Sequence, residues 1–250
     1  WPNASSAHGV SNLTEASPDD DSIYLADTFI NFLENRNGAP FLAQISFHNC
    51  HIPYIGTAAA RALCNSTESC RAPDAGAAPY NEAELDFYAC LNELDASIGR
   101  VIDTLDKEGY YDNTMIWFTT DNGPEMNCGP EGYCLGTIHR PTEGPGSAGQ
   151  LRGRKRDIYE GGHRVPGIVS YPFVVKGAAR VSWDTVITMD FLATVMDVLA
   201  IHNMSVTRPA VQSNWALDGK SIMPILKGED WPERGLGWMY DKPVMSNKTG

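Results

Sequence analysis

Hydrophobic positions along the chain switch between two periods, and the switches divide it into helices and short strands. Between Ser22 and Asn35, Ile23, Ala26, Phe29, Ile30 and Leu33 recur at three- to four-residue spacing. That period predicts an amphipathic helix, stopped by Asn37-Gly38. Residues 41–47 (Phe-Leu-Ala-Gln-Ile-Ser-Phe) are short, apolar and preceded by Pro40, which predicts a buried strand. Asn81, with Glu84 three residues on, predicts a capping box opening a long helix. Its stripe would be Leu91, Leu94, Ile98, Val101, Ile102 and Leu105, with Gly109 beyond its end. Residues 114–120 form a continuous β-prone run, the pattern of a strand buried on both faces. A further strand is expected over 165–171, and a helix over 189–200 with Phe191, Leu192, Val195, Val198 and Leu199 inward. A helical turn over 221–227 ends at Gly228. Residues 1–20 and 121–150 read as loop, and 54–80 as a long excursion from the core. Strands alternating with helices predict an α/β fold, a mostly parallel central sheet sandwiched by helices.

Composition narrows the partners. The 250 residues are 42% hydrophobic and 20% charged, ordinary for a globular chain, and the formal net charge is −12. That balance argues against nucleic acid and anionic membranes as partners. No run approaches the roughly 18 apolar residues a membrane span needs. The first residues, Trp-Pro-Asn-Ala-Ser, show neither an initiator Met nor a signal-peptide pattern, so a processed, trimmed or fragmentary chain is expected. Asn-x-Ser/Thr acceptors for glycosylation stand at Asn3, Asn12, Asn65, Asn203 and Asn247. The pairs Cys64/Cys70 and Cys128/Cys134 have spacings that could close small disulfide loops. Together these point to a secreted or lumenal protein. With no Cys-x-x-Cys pair, a structural zinc site is not expected.

Three segments could carry chemistry. Residues 150–167 place Arg152, Arg154, Lys155, Arg156 and Arg164 among glycines in an otherwise acidic chain, a local positive well suited to one small anion, although such a cluster by itself equally reads as a solvated basic loop or a nuclear-targeting run. Asp121-Asn122-Gly123 follows the 114–120 strand directly, where open α/β sheets bind ligands. The pair offers two hard oxygen ligands for Ca²⁺ or Mg²⁺, although Asp-Asn-Gly is also a common turn former. His48-Asn-Cys-His51-Ile-Pro leaves the end of the 41–47 strand, with histidines able to ligate, move protons or donate to an oxyanion. Glu82, Glu84 and Glu93 fit the solvated face of the long helix. The chain contains no GxxxxGK[ST], GxSxG or HExxH.

Taken together these segments resemble the sulfatase family, arylsulfatase-like members of the alkaline phosphatase superfamily. Phe-Leu-Ala-Gln-Ile-Ser-Phe-His-Asn-Cys-His51-Ile-Pro is similar to the strand leading to the family's active-site histidine. Phe-Thr-Thr-Asp121-Asn122-Gly-Pro-Glu is similar to its metal-binding strand end. Leu151-Arg-Gly-Arg-Lys155, followed by Tyr159-Glu-Gly-Gly-His-Arg-Val-Pro-Gly, is similar to its lysine-bearing loop. Two later segments, from Met189 and from Leu217, continue the likeness in order, so that it covers residues 22 to 228. The resemblance implies an alkaline phosphatase-like fold and hydrolysis of sulfate esters, aryl or carbohydrate. It implies Asp121 and Asn122 as ligands of a divalent ion, usually Ca²⁺. It also implies His51 at the ester oxygen, Lys155 on the sulfate, and a weaker claim for His48 as a substrate contact. His163 receives no catalytic role.

One family element has no counterpart. Sulfatases carry a formylglycine nucleophile made from Cys or Ser in Cys/Ser-x-Pro-x-Arg, and two further Asp metal ligands near the N-terminus. Cys128-Gly-Pro130 is followed by Glu131 and Gly132, so the arginine is absent and the position is wrong. The chain is therefore expected to be the C-terminal portion of a sulfatase catalytic domain (1–228), with 229–250 opening a smaller subdomain or tail. On its own it would be inactive, its partner being the missing N-terminal part. The alternatives are a phosphodiesterase or phosphonate hydrolase of the same superfamily, and a non-catalytic glycan-binding relative.

Overall fold

The computed structural model describes residues 21–51, 53–66, 82–125, 145–199 and 217–239. Asn3, Asn12, Asn203, Asn247, Asn81, Cys70, Cys128 and Cys134 lie outside them. The chain divides into two compact units, one formed by residues up to Tyr111 with Asp121–Val165, the other by Asp112–Thr120 with Pro166 onward.

The first unit is helical, with the one-turn helix α4 (Glu160–His163) beside three longer ones. Helix α1 (Ser22–Asn35) and helix α3 (Glu82–Lys107) pack on one another. The periodic residues Ala26 and Leu33 are buried in α1, while Ile23 stays exposed. On α3 the buried stripe runs Leu85, Ala89, Cys90, Leu94, Ser97, Val101 and Leu105, and Leu91 faces out. Leu94, Val101 and Leu105 follow the expected periodicity. Ser97, facing the fully buried Ser22 at 3.4 Å, occupies a place where periodicity predicts a larger apolar side chain. Small residues there let the two helix backbones approach closely. Each large apolar side chain in this stripe contributes about 2 kcal/mol.

Residues 54–66 are no excursion. Helix α2 (Ala58–Ser66) lays Ala60 and Cys64 against Leu85 and Ala89 of α3. Its start is fixed by Thr57, whose Oγ1 accepts from the Ala60 amide and donates to the Glu93 carboxylate, while the Thr57 amide also donates to Glu93 at 3.3 Å. Glu93 is buried, contrary to its expected place on a solvated face. Cys64 is disulfide-bonded, and Asn65 beside it is exposed. Residues 41–47 form no strand: Phe41 packs edge-on against Phe29 and Phe32 of α1, and Leu42 to Gln44 are exposed.

The second unit holds the only sheet among the described residues. Strand β1 (Ile116–Thr119) pairs with strand β2 (Gly167–Ser170), with Trp117 opposite Val169 and Phe118 opposite Ile168. Both strands lie where the apolar runs predict them, but they are antiparallel and only half-buried. An apolar run identifies a strand without fixing its direction. Behind the sheet, Tyr171, Ile222, Met223 and Leu226 form a core joined by Trp117, Val169 and Trp231. Helix α6 (Met223–Lys227) ends at Gly228, whose φ of +77° terminates it as expected.

Helix α5 (Met189–Val198) departs from its expected register. It buries Asp190, Ala193, Thr194 and Met196, leaving Leu192 and Leu199 exposed. The reason is Asp190. Its carboxylate is wholly buried, accepts from the backbone amides of Ile187 and Lys220, and forms a two-pronged pair with Arg234. Burial pushes the Asp190 carboxyl up, yet Arg234 and the two amides outweigh it and hold its pKa below the ordinary 3.8.

Candidate active site

The candidate residues all fall in the first unit, and backbone rather than side chains assembles most of them. After β1 the chain turns through Asp121-Asn122-Gly123 and meets the loop 152–162. The Gly123 amide donates to Gly162 O at 2.9 Å, the Lys155 amide to Pro124 O at 2.9 Å, and the Gly161 amide to Arg152 O at 2.7 Å. These contacts need bare backbone. A Cβ on Gly123 would fall on the Gly161 carbonyl, one on Gly161 on the Gly153 carbonyl, and one on Gly162 on the Asp157 and Arg154 carbonyls. Gly153 itself sits at φ +86°, where a side chain would be strained.

The arginines of this loop are committed to partners. Arg154 is 5% exposed, and its guanidinium donates to the carbonyls of Glu125 (2.9 Å), Pro145 (3.0 Å) and Gly146 (2.9 Å). Burial lowers its pKa from the ordinary value. Arg152 stacks on the Tyr159 ring at 3.8 Å. Arg164 pairs with Glu160, and Arg156 with Glu125. The four arginines of the expected positive well thus have partners within the chain, and only Arg154 is buried. Glu125, buried at the end of Asp-Asn-Gly-Pro-Glu, escaped the sequence reading although it stands within a quoted motif. Burial first, and then the Glu125 charge, raise the pKa of the neighbouring Tyr54 phenol.

Lys155 is different. Its ammonium reaches His51 Nε2 at 3.0 Å across 104 residues of chain, and stands 3.5 Å from Glu125 Oε2. An ammonium only donates, so in this contact His51 Nε2 stands as the acceptor. His51 is exposed, held by a turn in which its amide donates to His48 O at 2.7 Å. His48 turns to Asp21: Nδ1 contacts the carboxylate, and the His48 amide donates to the same carboxylate at 3.3–3.4 Å. Asp121 is exposed, and Asn122 donates from its Nδ2 to Gly123 O at 2.8 Å. His163 Nε2 contacts Ile158 O at 3.0 Å.

The arrangement joins a lysine and an Asp-Asn turn on one glycine-knit frame, with a histidine in contact with the lysine. A family model described as Sulfatase matches residues 5–201, which include all of them. The chain belongs to the sulfatase family. It is 29% identical over 227 residues to a sulfatase of Formosa agariphila, covering 87% of this chain and 35% of that protein. Against the rat (Rattus norvegicus) steryl-sulfatase the identity is 29% over 205 residues, covering 82% and 29%. The arylsulfatase of Hemicentrotus pulcherrimus is 27% identical over 225 residues, covering 90% and 33%. The sulfatase chain therefore spans about a third of the length of these relatives. Among solved structures, Ps i-CgsB in complex with k-i-k-neocarrahexaose matches with a TM-score of 0.61 at 22% identity, covering 84% of this chain and 39% of that one. That likeness places the chain in the same α/β fold. No helix among the described residues is long and apolar enough to cross a membrane.

Proposed function

We propose that the protein is a sulfuric ester hydrolase of arylsulfatase type, to which this chain contributes sulfate-binding residues and two metal ligands. The 3.0 Å approach of Lys155 Nζ to His51 Nε2 carries this reading. Two nitrogen groups so placed can each donate to a different oxygen of one sulfate seated against them. Lys155 then holds a sulfuryl oxygen. His51, whose Nε2 takes up a proton from solvent once the ester has drawn Lys155 away from it, passes that proton to the departing oxygen as the S–O bond breaks. His48, oriented by Asp21, lies at the rim as a further substrate contact.

Asp121 and Asn122 fit a hard divalent cation, Ca²⁺ or else Mg²⁺: one exposed carboxylate and one amide oxygen on a rigid turn. Among the described residues no three His, Cys, Asp or Glu cluster to complete such a site, so the remaining ligands are expected from elsewhere in the protein. When bound, the cation withdraws charge from the sulfuryl oxygens. The nucleophile, a formylglycine, is expected in an N-terminal part, because no Cys/Ser-x-Pro-x-Arg occurs in this chain. The same part would pair residues 41–47 into a mostly parallel central sheet. Residues 229–250 open a smaller C-terminal subdomain or tail. The substrate is an aryl or carbohydrate sulfate ester, and the compartment is extracellular or lumenal.

Hydrolysis of an aryl sulfate by the complete protein, by this chain alone and by a complete Lys155→Ala variant tests the reading. Activity is expected only from the complete protein, with Lys155→Ala losing about 100-fold or more. Turnover by the chain alone would sink the missing-nucleophile argument, and an unimpaired Lys155→Ala enzyme would sink the site. Faster hydrolysis of an aryl phosphate would turn the reading toward a phosphodiesterase.

A further inference from the structure

Lys155 faces a difficulty that the proposed site does not resolve by itself. A buried carboxylate, Glu125, stands 3.5 Å from its ammonium, with 8% of the Glu125 side chain exposed. At that separation and depth an acid is a strong competitor for any anion that approaches the lysine. A sulfate would meet a lysine already neutralised.

The loop supplies the counterweight one residue later. Arg156 donates through Nη1 to Oε1 of Glu125, the oxygen that Lys155 is not facing. The order of charges is Arg156(+), Glu125(−), Lys155(+), then the His51 ring. One arginine cancels the acid, and the lysine charge remains directed at the His51 side. Arg154, the third cation nearby, adds its charge to the field at Glu125 while its guanidinium donates to three backbone carbonyls, whereas Arg156 donates to the Glu125 carboxylate itself. The backbone at Arg156 has φ +78°, the only non-glycine residue among those described with a left-handed φ. Glycine would sit there without strain, whereas arginine costs on the order of a few tenfold in local conformational preference. A side chain at that place must return something, and the ion pair with Glu125 is what the geometry shows.

We propose that Arg156 is a positioning residue that sets the anion affinity of the site: by neutralising Glu125 it keeps the Lys155 charge available for a sulfuryl group. Glu125 in turn fixes where the lysine ammonium stands, beside His51. The inference rests on the sulfate-binding reading of Lys155 and adds to it the two side chains that tune it.

Inorganic sulfate, bound to the complete Ca²⁺-loaded protein and followed by titration calorimetry, is the probe. Arg156→Gln is expected to weaken sulfate binding about tenfold, and to raise KM for an aryl sulfate by a similar factor with little change in kcat. Arg156→Lys is expected to recover most of it. The decisive variant is Arg156→Gln combined with Glu125→Gln, which removes both charges and is expected to bind sulfate within about threefold of the parent. If Arg156 serves only the loop's shape, the double variant will bind as weakly as the single one or more weakly, and the proposal is overturned. Equal binding by Arg156→Gln and the parent overturns it too. Lys155→Ala separates this from failure of the underlying reading: sulfate binding that survives loss of Lys155 rejects the site itself. If Lys155 matters and Arg156 does not, only the present inference falls. Thermal unfolding of each variant by circular dichroism identifies any that fail to fold, in which case the Arg156→Lys and double variants decide.

Discussion

Two buried carboxylates, one in each unit, are each paired to an arginine, and they do opposite things. Asp190 is wholly buried and closed on every side, by Arg234 and by the amides of Ile187 and Lys220. Glu125 is nearly as buried, but it shares its two oxygens between Arg156 and Lys155, and the lysine also addresses an exposed histidine. A closed acid is a staple: it fixes α5 to the segment carrying Arg234. An acid shared with a cation that faces solvent is an adjustable part. Burial and an arginine partner therefore do not distinguish structure from chemistry. What distinguishes them is whether a third charged group looks outward.

The largest expected effect follows from closing. Removing Arg234, whose side chain is 10% exposed, strands a charged Asp190 and is expected to cost about 3–5 kcal/mol. Urea unfolding followed by tryptophan fluorescence would measure it, with Arg156→Gln costing clearly less because Arg156 is 39% exposed. A loss for Arg156 as large as that for Arg234 would break the comparison. A pH series sharpens it. The folded pKa of Asp190 lies below its ordinary 3.8, so as acid is added the unfolded chain takes up the proton first. The stabilisation is complete above about pH 4 and is lost as pH falls through the folded value. The Arg234→Ala protein is expected to show a weaker acid dependence of its urea midpoint between pH 5 and pH 3. A smaller effect belongs to a third buried acid, Glu93, which is held by Thr57 at the start of α2. Thr57→Ala removes the cap and one carboxylate donor, for an expected loss of about 1 kcal/mol by the same unfolding measurement.

Much of the helical frame was legible in the chain, because a 3.6-residue apolar period is a local signal. Ala26, Leu33, Leu94, Val101 and Leu105 are buried where that period puts them. It failed where a polar residue was buried by a distant partner. Nothing near Asp190 in sequence announces Arg234, 44 residues on, so α5 was turned the wrong way. Nothing near Glu93 announces Thr57. Strands β1 and β2 were visible as apolar runs, but their antiparallel pairing is a property of two segments together. For the candidate site, motif resemblance singles out His51, Lys155, Asp121 and Asn122, and the structure brings Lys155 to 3.0 Å from His51. The fate of the arginines was not legible. A cluster of five cations reads as a field around an anion until the carbonyls and carboxylates that consume them are placed.

The glycines at 123, 153, 161 and 162 limit how this protein can be redesigned. Where a loop is packed backbone to backbone, nearly every substitution at those positions is a collision, so the frame offers a mutagenesis library almost nothing to vary. Variation has to be spent on side chains that leave the frame, such as Arg156, or on segments that do not belong to it. A selection for altered ligand preference should therefore return winners clustered outside these four positions, with the lysine's mounting unchanged beneath them.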